Sequence, residues 1–236
     1  MSKKHIFTFL IVLTMLIILI TASGCGENAN PATDFEYIIG SDYIIITKYV
    51  GTATDVIIPS KIEGKPVTEI GDTFRMLNWI TSVVIPDGVT TIGAGAFFAC
   101  ESLTSVTIPD SVTTIHGHAF AECISLTSVV IPDSVTTIRG HAFFRCTSLT
   151  SVVIPDSVTT IGIAVFLRCT SLTSVTIGNS VTTIDIATFG GCTSLTSVVI
   201  PDSVTTIHER AFAECTSLSD ETKARILEIN PDAWFQ

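Results

Sequence analysis

A spacing of 23 residues constrains the fold of this chain more than any other feature of its sequence. Cysteine, phenylalanine and leucine each recur six times at this spacing and form three aligned columns. One unit of this length cannot bury its own apolar residues, so the columns predict a solenoid in which successive coils stack. The columns are Cys100, Cys123, Cys146, Cys169, Cys192, Cys215; Phe97, Phe120, Phe143, Phe166, Phe189, Phe212; and Leu103, Leu126, Leu149, Leu172, Leu195, Leu218.

A single repeat contains the parts of one coil. Before Pro109, apolar residues alternate with Ser and Thr, which indicates a half-buried strand. Pro109 has no N–H to donate and ends that strand. Residues 112–115 form a second short extended run rich in β-branched side chains, and the last apolar positions fit one helical or 3-10 turn. The predicted inward set is Leu103, Val106, Ile108, Val112, Ile115, Ala119, Phe120 and Cys123.

The columns read L-x-x-V-x-I-P-x-x-V-x-x-I-x-x-x-A-F-x-x-C from about Ile58 to Leu218. This pattern resembles the BspA-type (Treponema-type) leucine-rich repeats of bacterial surface proteins. The resemblance implies a leucine-rich-repeat-type parallel β-sheet solenoid at a cell surface, and the family includes adhesins that bind host matrix proteins. Val165 and Thr188 depart from the alanine column, and Gly178 replaces proline; each departure affects local geometry only.

The N-terminal residues predict export and lipid attachment. Lys3 and Lys4 precede an apolar run of residues 6–20, which is short for a membrane span and typical of an export signal. The run Ala22-Ser23-Gly24-Cys25 resembles a bacterial lipobox, whose cysteine receives a diacylglycerol and becomes the first mature residue. We therefore expect a signal peptide over 1–24 and lipidated Cys25 with a tether over 25–33. An uncleaved anchor or a secretory signal with a chance cysteine is the alternative.

The remaining boundaries follow from where the repeat is regular. We expect an irregular N-terminal coil over 34–80, regular repeats over 81–218, and a C-terminal capping helix and tail over 219–236. Ser219 is placed to cap a helix over 220–229 whose first turn is acidic. We expect the inward stripe of that helix to hold Ala224 and Leu227, with Ile226 or Ile229.

The cysteine column admits disulfides or free thiols. An exported protein with six aligned cysteines invites a disulfide framework. Parallel Cβ vectors on stacked coils would keep the Cβ atoms about 5 Å apart, whereas a disulfide needs about 3.8 Å. We therefore expect buried free thiols. No cysteine differs from its neighbours as a nucleophile must, so we expect no catalytic site and no enzyme.

Two sets of residues raise the question of a metal. His116, His118 and His141 could converge on neighbouring coils, but Arg139 shares the column of His116 and would disfavour a cation. A ladder of turn aspartates could hold calcium, although such residues more often bond to the backbone of their own turn. We expect no metal and no cofactor. The aspartates are Asp87, Asp110, Asp133, Asp156 and Asp202.

The remaining candidate is a surface. By analogy with leucine-rich repeats, the strand before each proline presents a Thr, a Ser and a Val or Thr outward, without charge, at almost every coil. A uniform hydroxyl-lined face suits an extended partner such as a fibrous protein or a glycan. The predicted ligand face contains Ser105, Thr107, Ser128, Val130, Ser151, Val153, Ser174 and Thr176.

These features predict an exported, lipid-anchored protein of the bacterial cell surface whose solenoid binds an extracellular protein or a glycan, as an adhesin does. The alternative is a structural spacer without a specific ligand. The formal net charge of −10 would repel phosphate backbones, so nucleic acid is not an expected partner.

Overall fold

The computed structural model describes residues 28–235, so Cys25 and the predicted signal peptide lie outside the described residues. The chain forms a stacked series of similar coils, and nearly every coil contributes one strand to each of two mainly parallel sheets. A β-hairpin lies at the N-terminal end and one α-helix at the C-terminal end. Within residues 28–235 no helix has the length and apolar composition needed to cross a membrane.

The first sheet is built from the strands that precede the repeat prolines. Its strands pair in parallel with a step of one repeat, so that Ser151, Ser174 and Ser197 lie side by side. It consists of two three-stranded parts, because residues 128–130 between them have no strand conformation. The parts contain β3 (Asp55–Ile57), β6 (Ser82–Val84), β8 (Ser105–Thr107), and β11 (Ser151–Val153), β13 (Ser174–Thr176), β15 (Ser197–Val199).

The second sheet contains the short second strands that the sequence predicts. A 3-10 turn (Ala32–Asp34) leads into β1 (Phe35–Ile39), which forms an antiparallel hairpin with β2 (Ile44–Tyr49). Strand β2 then pairs in parallel with β5 (Lys65–Ile70), which also carries the short β4 (Lys61–Ile62). The repeat strands that continue it are β7 (Thr91–Ile92), β9 (Thr114–Ile115), β10 (Thr137–Ile138) and β12 (Thr160–Ile161). Strands β14 (Thr183–Ile184) and β16 (Thr206–Ile207) pair with each other and form a separate two-stranded part.

Stacked phenylalanine rings fill the centre of the solenoid. Seven rings, one per coil from Phe74 to Phe212, are fully or almost fully buried. Neighbouring ring centroids lie 5.0 to 5.6 Å apart, and the rings are nearly parallel. Tyr49 and Phe35 of the N-terminal hairpin extend the aromatic column at 5.5 and 5.3 Å. The hairpin therefore continues the core of the repeats to the N-terminal end.

The outer arch of each coil differs from a regular helix. In residues 118–123, alternate amides donate to the residue three positions earlier, as Cys123 N does to Phe120 O, in the manner of a 3-10 turn. The intervening amides donate to the next coil, as Phe120 N does to Ala142 O. Left-handed residues such as His118 (φ 59°) and Glu122 (φ 61°) recur in two columns and interrupt any helix. The predicted 3-10 hydrogen bonds are thus present within a chain of turns.

Proline and serine organise the corner between the two sheets. The amide of Val112 donates to Pro109 O within the turn, and Ser111 Oγ donates to Val89 O of the preceding coil at 2.7 Å. At Gly178 the proline column is interrupted, and the backbone comes so close to Pro155 O that a Cβ would collide with it. Glycine therefore replaces proline where two coils approach closely.

The helix α1 (Asp220–Ile229) covers the last coil, as the sequence predicts, with Ser219 as its N-cap. The predicted inward stripe was wrong in two positions, because Ala224 and Leu227 are exposed. Thr222 and Ile226 are buried instead. Thr222 takes the inner position since its Oγ1 accepts a hydrogen bond from Val198 N at the open edge of β15.

Candidate functional site

The clearest candidate surface is the outward side of β11, β13 and β15. In each strand the central valine points inward and is nearly buried, while the flanking residues are exposed. Val153 and Val199 are 51% and 55% exposed, and Thr176 lies between them in register. The surface therefore combines a row of serine hydroxyls with a row of valine and threonine methyl groups, without a charged side chain.

The predicted face is less uniform than its sequence. Ser128 and Val130 do not belong to a strand, so the expected continuous ladder from Ser105 to Thr176 is broken at that coil. Their side chains remain at the surface, and Val130 is 56% exposed. The face thus consists of two separate three-stranded patches, and Ser105 and Thr107 belong to the N-terminal one.

An acidic residue lies at the N-terminal end of this face and was missed by sequence reasoning. Asp55 occupies the serine column, paired in register with Ser82. Its carboxylate accepts hydrogen bonds from the hydroxyls of Ser82 and Thr81, and these bonds hold the pKa of Asp55 below its ordinary value. The run Thr54-Asp55-Val56 could have revealed it, because it aligns with Thr81-Ser82-Val83. The N-terminal patch is therefore charged and the C-terminal patch is not.

The threonine column, which precedes the serine of each strand and includes Thr104, Thr173 and Thr196, forms hydrogen bonds between coils. Thr104 Oγ1 donates to Thr81 O at 3.0 Å, and Thr173 and Thr196 make the same bond to the preceding coil. These hydroxyl protons are already used between coils, so the threonines can offer a ligand only acceptor lone pairs. By contrast, no side-chain hydrogen bond within the described residues engages the hydroxyls of Ser151 and Ser174, which leaves them available to a ligand.

The six repeat cysteines are buried and free, as predicted. Each Sγ donates to the carbonyl oxygen of the phenylalanine in the preceding coil, for example Cys146 to Phe120 O at 3.1 Å. Burial raises the pKa of Cys100, Cys169 and Cys215 to about 12. A thiol held neutral and inside the core cannot serve as a nucleophile at neutral pH.

The histidines stack but do not form a metal site. The rings of His118 and His141 lie parallel with centroids 4.9 Å apart, on the outer arch. Burial, followed by the positive charge of Arg139, lowers the pKa of His116; burial and the neighbouring His118 lower that of His141. No group of three metal-ligating side chains occurs among the residues that the structure describes.

The turn aspartates do not converge on a site either. Asp156 accepts hydrogen bonds from the backbone and side chain of Asn179 in the next coil. These bonds run to the next coil, whereas a bond to the backbone of its own turn was expected. Asp202 instead pairs with Arg225 of α1 at 3.1 Å.

Comparison with known proteins identifies the repeat. Residues 68–194 and 136–235 match a family described as the BspA type leucine rich repeat region, with six copies. The crystal structure of a leucine-rich repeat protein from Treponema pallidum is similar, with 33% identity and a TM-score of 0.86, over 88% of this chain and 99% of that protein.

A second similar crystal structure, of a leucine-rich repeat protein from Bacteroides ovatus, shares 30% identity and has a TM-score of 0.74. The alignment covers 79% of this chain and 51% of that protein, so the chain spans about half the length of this relative. No curated protein matches the chain.

Proposed function

Since the chain belongs to the BspA-type leucine-rich repeat family, we propose that it is a lipid-anchored protein of the bacterial cell envelope whose solenoid binds an extended extracellular protein or glycan. Proteins of this family are typically extracellular or surface-associated, and their repeats serve as protein-interaction or structural modules. The lipobox-like run that ends at Cys25 supports the anchor. Detection of an N-terminal diacylglyceryl cysteine by mass spectrometry is the expected result, and an unmodified Cys25 would contradict it.

One observation carries the binding proposal. The patch formed by Ser151, Val153, Ser174, Thr176 and the strand that follows them is exposed, uncharged and in strict register. An extended chain lying across the strands would meet the same pair of groups at every step of about 4.8 Å. Repeated weak contacts of this kind raise the overall affinity steeply, since each added contact is intramolecular.

The proposal differs from the sequence-based one in where binding is centred. The N-terminal patch carries the Asp55 carboxylate, and the loop at residues 128–130 separates it from the C-terminal patch. We therefore place the ligand on β11, β13 and β15. Because this patch has no charged side chain, its affinity for a neutral ligand should change little with ionic strength.

The test compares two double variants of equal charge. Ser151→Lys with Ser174→Lys puts two cations in the middle of the proposed surface, whereas Ile163→Lys with Ile186→Lys puts them on exposed positions of the outer arch of the same coils. The partner is first selected by screening immobilised glycans and extracellular matrix proteins. We expect the serine variant to lose affinity by about tenfold or more and the isoleucine variant to bind as the unmodified chain does. The opposite result would place the site on the outer arch.

A structural spacer is the second candidate, and the threonine column favours it. The hydroxyls that recur most regularly are already engaged between coils, so their regularity is explained without a ligand. Catalysis is not part of either proposal, because the cysteines are equivalent, buried and neutral. A screen in which no glycan or matrix protein binds saturably would favour the spacer.

A further inference from the structure

The two ends of the solenoid are closed in different ways. At the C-terminal end, Ser219 N donates to Thr196 O, Thr222 Oγ1 accepts from Val198 N, and Asn230 Nδ2 donates to Ile207 O. Helix α1 thereby satisfies the free edge of the last coil. At the N-terminal end, β1 is the outermost strand of its sheet. No described residue pairs with its outer edge in a strand.

The hairpin formed by β1 and β2 exposes apolar side chains at its tip. Ile38 and Ile39 are 56% and 48% exposed, and Tyr43 on the other side of the turn is 40% exposed. The tip is held in place rather than free, because Lys65 Nζ donates to Gly40 O at 2.7 Å. An ordered, unpaired strand edge with exposed isoleucines is an association surface unless something covers it.

The residues before β1 connect this surface to the predicted lipid anchor at Cys25. Asn30 is fixed to the first sheet by two hydrogen bonds, from its own amide to Ile57 O and from Ile57 N to its Oδ1, each 2.8 Å long. Only five residue steps separate Asn30 from Cys25. A fully extended chain of that length spans about 18 Å at most. The tether is therefore shorter than the sequence alone indicates.

We propose that the hairpin tip, through Ile38, Ile39 and Tyr43, rests in the boundary between headgroups and acyl chains of the bilayer that anchors Cys25. This inference depends on the lipid anchor of the proposed function. A lipidated Cys25 would hold the N-terminal end against the bilayer. Leu227 and Trp234 expose apolar surface at the C-terminal end as well, but the short tether brings only the N-terminal end of the described solenoid close to the lipid. Aromatic and aliphatic side chains at the membrane boundary add apolar burial to a lipid anchor. The lipid thus holds the protein, and the tip orients it.

The charges around the tip fit a contact that is apolar rather than electrostatic. Lys48 pairs with Glu36 at 3.5 Å, and Glu63 accepts a hydrogen bond from the Tyr37 hydroxyl. Asp42 in the turn carries a charge opposite to that of Lys65, whose Nζ donates to Gly40 O in the same turn. The contact should therefore form on zwitterionic and on anionic bilayers alike.

A fluorescent probe at the tip tests the proposal. Ser41→Cys introduces one exposed thiol in the turn, and the six repeat thiols are buried and do not compete for the reagent. The lipoprotein is labelled with an environment-sensitive nitrobenzoxadiazole dye and reconstituted into phosphatidylethanolamine–phosphatidylglycerol vesicles that carry nitroxide-labelled acyl chains. We expect a blue-shifted emission that the nitroxide quenches about twofold. The same dye on Ile163→Cys, on the outer arch, should be unaffected.

A second variant separates the tip from the anchor. Ile38→Ser, Ile39→Ser and Tyr43→Ser are combined with Ser41→Cys, and the labelled protein should keep its melting transition and its vesicle attachment while losing the quenching. Mass spectrometry of each sample reports the lipid on Cys25. A missing lipid overturns the anchor and this inference together. A lipidated protein whose tip dye is not quenched overturns this inference alone, and so does a blue shift without quenching, which indicates contact between two copies of the protein.

Discussion

Each buried cysteine both fills the core of its own coil and hydrogen-bonds to the preceding coil. Each side chain fills the core beside a phenylalanine and donates its proton to a carbonyl oxygen of the coil before it, at 2.9 to 3.2 Å. That carbonyl already accepts a backbone amide of its own coil, as Phe120 O does from Cys123 N, so the thiol occupies the second lone pair of the oxygen. A small thiol supplies the donor in a position where a larger polar side chain would not fit.

This arrangement predicts a loss of stability at alkaline pH. The pKa of Cys100 is raised to about 12 in the folded chain, whereas an exposed thiol titrates near 9. The raised folded pKa means that the thiol contribution is complete below pH 9 and is lost as the pH rises towards 12. We expect the free energy of unfolding in urea to fall across this range, and Cys146→Ala to reduce the fall.

Thiol reactivity provides the control for that experiment. In the folded protein the six repeat thiols should resist a maleimide reagent at pH 8, and all six should react once the protein is denatured without reductant. Fewer than six reactive thiols after denaturation would reveal disulfides. A stability that stays constant from pH 9 to 12 would contradict the buried neutral thiols.

The left-handed residues mark the limit of sequence reasoning at this scale. The phenylalanine and cysteine columns could be predicted because identity and spacing repeat together. The left-handed columns could not, since they are filled by Met76, Ala99, Arg145 and Arg168 as well as by Gly191. Glycine or asparagine would have signalled this conformation. Here the hydrogen bonds to the next coil impose it on ordinary residues.

Among the elements, α1 has a side-chain cap at its N-terminus, Ser219. The Oγ of Ser219 accepts from Thr222 N at 3.2 Å and caps the helix, and the same serine joins α1 to the last coil through its backbone amide. We expect Ser219→Ala to lower the free energy of unfolding by about 1 kcal/mol. The measurement is urea denaturation followed by circular dichroism.

The control for this prediction is a substitution that keeps the capping acceptor. Ser219→Asp should be close to neutral, because aspartate is an equally favourable N-cap and its charge suits the helix N-terminus. A loss of similar size in both variants would show that the serine matters for packing and not as a cap.

The elements also show why local patterns predicted some features and missed others. The position of α1 follows from Ser219 and from Asn230-Pro231, which are strong local signals. Its inward face does not, because the unpaired amide of Val198 selects Thr222 over the more apolar Leu227. The break at residues 128–130 has no local signal at all, since Ser128-Val129-Val130 repeats the sequence of the strand Ser151–Val153.

In the whole molecule, each coil is stabilised mainly by its two neighbours. Phe143 stacks between Phe120 and Phe166 at 5.2 and 5.3 Å, whereas among the described residues Phe212 stacks only on Phe189. Phe143→Ala should therefore destabilise the chain by about 3–5 kcal/mol, and Phe212→Ala should cost less. Urea denaturation of both variants, monitored by circular dichroism, measures the difference.

The slope of the unfolding free energy against urea concentration provides the control for this comparison. Both variants should unfold with the same slope as the unmodified chain, because a two-state array exposes the same surface in each case. Equal losses at the two positions, or a larger loss at Phe212, would contradict the stacking of coils as the source of stability.

The constant register between coils determines what the insertion or deletion of one repeat would do to the solenoid. Ser151, Ser174 and Ser197 lie side by side because the chain advances by the same 23 residues each time. Deleting or duplicating one such unit would leave every remaining interface intact and would move helix α1 by about one strand spacing of 4.8 Å. The length of the solenoid can therefore change in steps of one coil.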